Sequence, residues 1–375
     1  MPVSRPRDLM ATIMEGGLPD RIPYSLFAPK AFWDRLADGL QCPPAQVYHL
    51  DNGDRDVSPR SRGKPPWDLP WDNPLDNEEE EQFLRERFAK YLPREKIAGL
   101  RVSECGSITV PGSSYHLRRM IYPLRHAAGL NEIDNFPWPD VREDWRWEGL
   151  EDEARDILSQ GYWLEGGVGS LFESCWYLRS QEQLLMDTYI NPEFAARLLD
   201  RMTADLEYKA ARLARMGVDT LGCADDMGHQ RQLFMRPDML RKWILSRWER
   251  IIAAAKAVKP DVKIDFHTDG RSEEMIPDLL AIGVTAINPV QPECDDPEHL
   301  KRRFGPRLVL KGTLSSRVLT FGAPDDVKAE IKTRMDTAKR FGGMLITPNN
   351  CPDVNTSPAN FKAFLDACEE YGRLN

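Results

Sequence analysis

The chain has 375 residues, 41% of them hydrophobic and 29% charged, the balance of an ordinary globule large enough for one sizeable α/β domain. Its formal net charge of −9 argues against a nucleic-acid partner or an anionic membrane surface, which need a basic face. No apolar run is long enough to cross a bilayer, the N-terminus lacks a signal-peptide core, and the seven cysteines form no CxxC pair, so a reducing cytoplasm is the expected compartment.

The first predicted elements are a helix over 5–16 and a strand over 21–27, followed by short helices over 30–40 and 43–50. From about 52 to 78 the chain is polar and rich in Pro, Asp and Trp, which reads as a long loop or lid, with a disordered insert as the alternative. The acidic run Glu78 to Glu81 then starts a solvated helix through Phe88. Alternating stretches at 99–102 and 107–110 suit a strand pair outside the main repeat. The closely spaced prolines of Phe136-Pro137-Trp138-Pro139-Asp140 mark a boundary.

Beyond residue 143 the pattern becomes regular. A helix over 144–160 leads to a strand at 162–167, and helices over 171–178, 181–188 and 192–216 lead to a strand at 218–222. Helix 237–258 precedes strand 262–266, helix 272–282 precedes 285–289, and helix 297–304 precedes 308–312. Helix 325–341 precedes 344–348, and helix 358–371 closes the chain. Gly217 and Gly283 sit where a left-handed residue would end a helix just before a strand. Such alternation calls for a parallel sheet with helical crossovers. The expected fold is α/β, a (β/α)8 TIM barrel with an irregular N-terminal extension. It is read as one domain over 1–375, with 1–143 the extension, lid loops and first strands and 144–375 the regular units.

In such a barrel, chemistry collects at the C-terminal ends of the strands. His267 is the strongest candidate: it ends a β-branched run and is followed by Thr268-Asp269-Gly270, where the glycine permits a sharp turn. Asp265 alternates with His267 and shares its inward face. Asp269 is placed to orient the imidazole or to ligate a metal beside it; the alternative is a core histidine held by a carboxylate. One unit earlier, Asp225 and Asp226 are placed to share a proton, hold a metal, bind a substrate, or cap a helix. His229 and Gln230 extend that cluster. Glu165 heads a glycine-rich rim loop without phosphate-loop spacing. Asn288, Gln291 and Lys311 supply polar groups at later strand ends, and Cys351 lies after the last one, where a thiolate could join His267 on a metal. A lone thiol is more often inert. No GxSxG elbow, HExxH or dinucleotide fingerprint is present.

Taken in order, Asp225-Asp226-Met227-Gly228-His229-Gln230, His267-Thr268-Asp269-Gly270 and Ile287-Asn288-Pro289-Val290-Gln291-Pro292 resemble the uroporphyrinogen decarboxylase superfamily, in its divergent branch related to corrinoid-dependent methyltransferases. The resemblance extends over about 150 to 375, and more faintly through Arg21-Ile22-Pro23 and Trp138-Pro139-Asp140. It implies a (β/α)8 barrel with its pocket at the strand C-termini. The arginine-rich segment with which true decarboxylases grip a porphyrinogen has no counterpart around Arg21 to Pro29. In the zinc-type methyltransferases a His-x-Cys element and a later Cys hold the metal. His267 matches that histidine, Asp269 stands in place of the first cysteine, and Cys351 approximates the later one, so zinc on His267, Asp269 and Cys351 is the implied centre.

The function implied is metal-assisted demethylation of a small methoxylated or methylated substrate, with the methyl group passed to the corrinoid (cobalamin) of a partner protein. Asp226 or His229 would donate the proton, and Glu165, Asp225, Asn288, Gln291 and Lys311 would bind the substrate. Uroporphyrinogen decarboxylation and a non-catalytic ligand-binding barrel remain as alternatives. A homodimer is the expected assembly.

Overall fold

In the computed structural model, residues 5–26, 32–33, 35–36, 39, 54–62, 78–111, 118–353 and 355–374 are described. Strands β1 (Asp54–Val57), β2 (Arg101–Val102), β3 (Ile108–Pro111), β4 (Arg118–Ile121), β5 (Trp163–Ser170), β6 (Thr220–Ala224), β7 (Lys263–His267), β8 (Ala286–Asn288) and β9 (Val309–Leu310) follow one another along the chain. Six of them form one parallel sheet in the order β1-β5-β6-β7-β8-β9. Beyond β9 a further stave continues the curve: Leu310 bridges Met344 and Leu314 bridges Pro348, both parallel. Ile346 in turn bridges Tyr24, also parallel, so the segments near residues 24 and 346 bring the wall to eight staves. This is the (β/α)8 barrel.

β1 departs from the expectation of a loop or lid over 52–78. Its sequence, Asp54-Arg55-Asp56-Val57, has no apolar run, and Asp56, in register with Glu165, lines the polar part of the barrel interior. The helix expected over 43–50 and most of that over 30–40 lie outside the described residues, as does 63–77. The strand pair near 99–110 is present with a third strand added: β2, β3 and β4 form an antiparallel sheet outside the barrel.

The helices form where the apolar spacing demands. Pro192–Arg215 buries Phe194, Leu198, Leu199, Met202, Leu206, Ala210 and Leu213, a stripe at helical period. The helix expected over 237–258 is interrupted. Pro237–Leu240 and Ser246–Lys256 are joined by a π-helical turn at Arg241–Leu245. That widened turn buries Trp243, Ile244 and Leu245 in succession. Gly217 (φ +87°) and Gly283 (φ +102°) take the left-handed conformation expected before a strand. No helix among the described residues is long and apolar enough to cross a membrane.

Register stacks the inward side chains in layers. At the bottom, Trp163, Ala286, Val309 and Leu345 are buried against Met10, Ile13 and Met14 of the N-terminal helix (Pro6–Met14), which plugs the barrel. The Trp163 indole donates to Thr220 Oγ1 in the same layer (2.9 Å). Two residues further along each strand the interior turns polar, with Glu165, Gly222, Asp265 and Lys311. A further step up, Ala224, His267 and Asn288 lie side by side in register. The apolar residues of the other face pack under the helical shell.

Candidate active site at the barrel mouth

Above the polar layers opens a cavity of about 650 Å³, the size of a small-molecule site. Glu165, Asp265, His267, Asn288 and Lys311 line it, joined by Asp56 of β1. Three residues expected to bind substrate, Glu165, Asn288 and Lys311, are therefore on its wall. Lys311 Nζ is hydrogen-bonded to Asp265 Oδ2 and stands 3.8 Å from Glu165 Oε2.

At the mouth, Asp226, His267 and Asp269 each bring a donor atom to within 4.8 Å of the other two. The register Ala224↔His267 sets the ends of β6 and β7 level, so the residues just beyond them meet. Hydrogen bonds then fix the two loops together. Asp269 N–H donates to Asp226 Oδ1 (2.9 Å), and Met227 N–H donates to Thr268 Oγ1 (3.3 Å). Two glycines allow the approach. A Cβ on Gly270 (φ +84°) would lie 2.8 Å from the carbonyl carbon of Gly228, and one on Gly228 would lie 2.7 Å from the Arg271 oxygen.

Two carboxylates and one imidazole make a hard, oxygen-rich donor set of three, with coordination positions left for water or substrate. That arrangement fits a catalytic zinc or a similar divalent cation. It is not the expected set. Cys351 is not in the group; its backbone N–H donates to Asn350 Oδ1 (2.7 Å), and burial pushes its thiol up. Asp226 supplies the third donor instead. The signal for it was present in the sequence, since the two acidic clusters follow neighbouring strands at equivalent positions.

Asp225 and Gln291, both expected to bind substrate, are committed elsewhere. Asp225 is fully buried. Its Oδ1 accepts from Leu171 N–H (3.1 Å) and Glu173 N–H (2.9 Å), and its Oδ2 accepts from the Trp248 indole (2.6 Å). It thus caps the helix Phe172–Arg179 and ties it to the shell, with burial pushing its carboxyl up to about 7. Gln291 clamps the β7 loop: its Nε2 donates to Asp269 Oδ1 (3.2 Å), and its Oε1 accepts from Gly270 N–H (2.8 Å). It steadies a donor carboxylate from behind. His229 is half-buried on the mouth loop, where its carbonyl accepts from Arg271 N–H (2.9 Å) and its Nδ1 from Arg231 N–H (3.4 Å).

Residues 153–371, more than half of the chain, match the family model described as Uroporphyrinogen decarboxylase (URO-D). No curated protein matches the chain significantly. Among solved structures, a methyltransferase from Methanosarcina mazei is similar over 98% of this chain and 99% of its own, at 18% identity and a TM-score of 0.60. A psychrophilic family 10 endo-β-1,4-xylanase (11% identity, 62% of this chain and 87% of that one, TM-score 0.39) is more distant. So is an α-amylase from Geobacillus thermoleovorans (9%, 60% and 61%, 0.34), and neither bears on function. The methyltransferase likeness extends the barrel assignment over nearly the whole chain, and the family match identifies the chain as a member of the uroporphyrinogen decarboxylase family.

Proposed function

We propose that this chain is a methyltransferase that demethylates a small methoxylated or methylated compound and delivers the methyl group to a corrinoid-bearing partner protein. The observation that carries the reading is the convergence of Asp226, His267 and Asp269 over a cavity of small-molecule size. Those three side chains would hold a divalent cation such as zinc, which supplies Lewis-acid polarisation of the atom that gives up its methyl group. A reduced corrinoid on the partner would supply the nucleophile for the methyl group.

The protein's own residues do the rest. Glu165, Asn288 and Lys311 orient the substrate on the cavity wall. Gln291 keeps Asp269 aimed at the mouth. The leaving heteroatom keeps the bonding electron pair and needs a proton. Asp226 is drawn into the donor cluster, so His229 on the adjoining loop is the proton donor in this reading.

Decarboxylation of a tetracarboxylated porphyrinogen would call for several cations on the wall. The described lining instead sets Asp56, Glu165 and Asp265 against Arg55 and Lys311. Arg55 stacks 4.0 Å over the Tyr162 ring, and Lys311 is paired with Asp265. This charge balance favours methyl transfer over decarboxylation.

The test mixes metal-loaded protein with methoxylated and N-methylated compounds and free cob(I)alamin, following the corrinoid spectrum as it is methylated. Turnover with at least one donor class is expected, falling at least about a hundred-fold in His267→Ala. Turnover unchanged in His267→Ala, or conversion of uroporphyrinogen to coproporphyrinogen with no methylation of cobalamin, would overturn the reading.

A further inference from the structure

The floor of the cavity carries a charge arrangement that the metal-site reading does not use. Asp265 is only 4% exposed, and its Oδ1 is buried with no hydrogen-bond partner among the described residues. Its other oxygen takes Lys311 Nζ, and the same ammonium lies 3.8 Å from Glu165 Oε2. The Lys311 ammonium therefore faces two carboxylates, and Arg55, stacked on Tyr162, is the other Arg or Lys on the described lining. Asp56 pairs in register with Glu165 and adds a third acid to the lining. Beneath this layer lies the apolar plug of Trp163, Ala286, Val309 and Leu345 on the N-terminal helix, which offers no compensating charge.

A buried carboxylate oxygen without a donor carries a desolvation cost, which a ligand that supplies the donor offsets. The backbone keeps the position open. A Cβ on Gly222 would stand 2.7 Å from Glu165 Oε1, so glycine at this inward position leaves room for the Glu165 carboxylate in the cavity.

We propose that this floor is a subsite for the protonated amine of the substrate, with Asp265 Oδ1 and Glu165 as its acceptors. The inference rests on the methyl-transfer reading for what happens at the mouth, and it narrows the methyl donor to compounds that carry an ammonium group. Asp265 and His267 are two residues apart on one strand, which separates floor and mouth by about 7 Å. A methyl-bearing heteroatom three bonds from an ammonium nitrogen lies about 3–4 Å from it, and a hydrogen bond of about 2.8 Å from that nitrogen to the floor carboxylate makes up the rest of the distance.

Three probes of equal length and different end charge test this: 2-methoxyethylammonium, 2-methoxyethanol and methoxyacetate, titrated into the whole protein by calorimetry without any corrinoid. The ammonium probe is expected to bind about ten-fold or more tightly than the alcohol, with the carboxylate weakest. Asp265→Asn and Glu165→Gln are each expected to lose that preference; Glu165→Gln keeps a melting temperature and circular dichroism close to wild type, while Asp265→Asn, which removes the buried charge facing Lys311, melts lower. Equal or tighter binding of the alcohol or the carboxylate overturns the proposal. So does an undiminished ammonium preference in both folded variants. Should Asp265→Asn fail to fold, Glu165→Gln decides alone. Ammonium binding without any methyl transfer would leave this subsite standing and remove the proposed reaction; methyl transfer confined to uncharged donors would do the reverse.

Discussion

Asp225 and Asp226 are neighbours in the chain, yet one belongs to the wall of the barrel and the other to its mouth. Strand alternation separates them. Gly222 and Ala224 lie in register with the inward Asp265 and His267, so Asp226 continues inward while Asp225 turns toward the helical shell. There it meets two backbone N–H groups and the Trp248 indole and becomes a fully committed structural anchor. Asp226 keeps a half-buried position beside His267 and Asp269, with one oxygen steadied by a single backbone donor. A side chain that satisfies the fold has no capacity left for a ligand, whereas one that is held only from behind retains it.

The largest effect that would sharpen this contrast is expected from Asp225→Ala. It strands three buried donors and should cost about 3 kcal/mol or more of unfolding free energy, read as a lowered denaturant midpoint. The folded fraction should still bind metal. A comparable loss of stability in Asp226→Ala would break the distinction between anchor and ligand.

Gly270→Ala should come next. The positive φ and the 2.8 Å approach to Gly228 force the β6 and β7 loops apart, at a cost of about 1–2 kcal/mol. Because the same loops carry all three donors, metal affinity should fall with stability in this variant, and intact affinity would contradict the loop-to-loop account.

Gln291→Ala touches the mouth alone. It should weaken metal binding by about ten- to a hundred-fold, measured by competition with a chelator, while the melting temperature moves little. A substrate-binding role for Gln291 would instead leave metal affinity unchanged and weaken substrate binding.

The smallest effect is on pH. The Asp225 carboxyl is raised to about 7 in the fold and titrates near 4 when unfolded. Between those values the native state holds a proton that the unfolded chain has released, so this group's contribution is full below about pH 4 and is lost as pH rises through about 7. Wild type should therefore lose stability relative to Asp225→Asn across that window. A difference that is flat, or that grows in favour of wild type with rising pH, would contradict the burial argument.

Much of the regular part was legible because β/α units announce themselves by alternation: the strands at β5 to β9 and the long helices fall within a few residues of where the sequence places them. β1 was hidden, because a short strand with polar residues toward a polar interior looks like a loop. The site was legible in half. The two acidic clusters and His267 could be read as one mouth, since both follow neighbouring parallel strands. Cys351 enters through the resemblance to a thiol-bearing pattern, whereas Asp226 sits at an equivalent strand end that the sequence does show; what the linear order lacks is the distance that brings Asp226, and not Cys351, beside His267. The roles of Asp225 and Gln291 depended on their hydrogen-bond partners, which come from helices and loops remote in sequence. The orphaned oxygen of Asp265 is likewise visible only once Lys311 is seen to occupy its twin.

The central claim is that Asp226, His267 and Asp269 form a metal centre at the barrel mouth, and elemental analysis tests it most directly. Protein equilibrated with zinc and then dialysed should retain one divalent ion per chain, lose it in Asp226→Ala and Asp269→Ala, and keep it in Cys351→Ala. Retention in both aspartate variants, or loss in Cys351→Ala, would contradict the account.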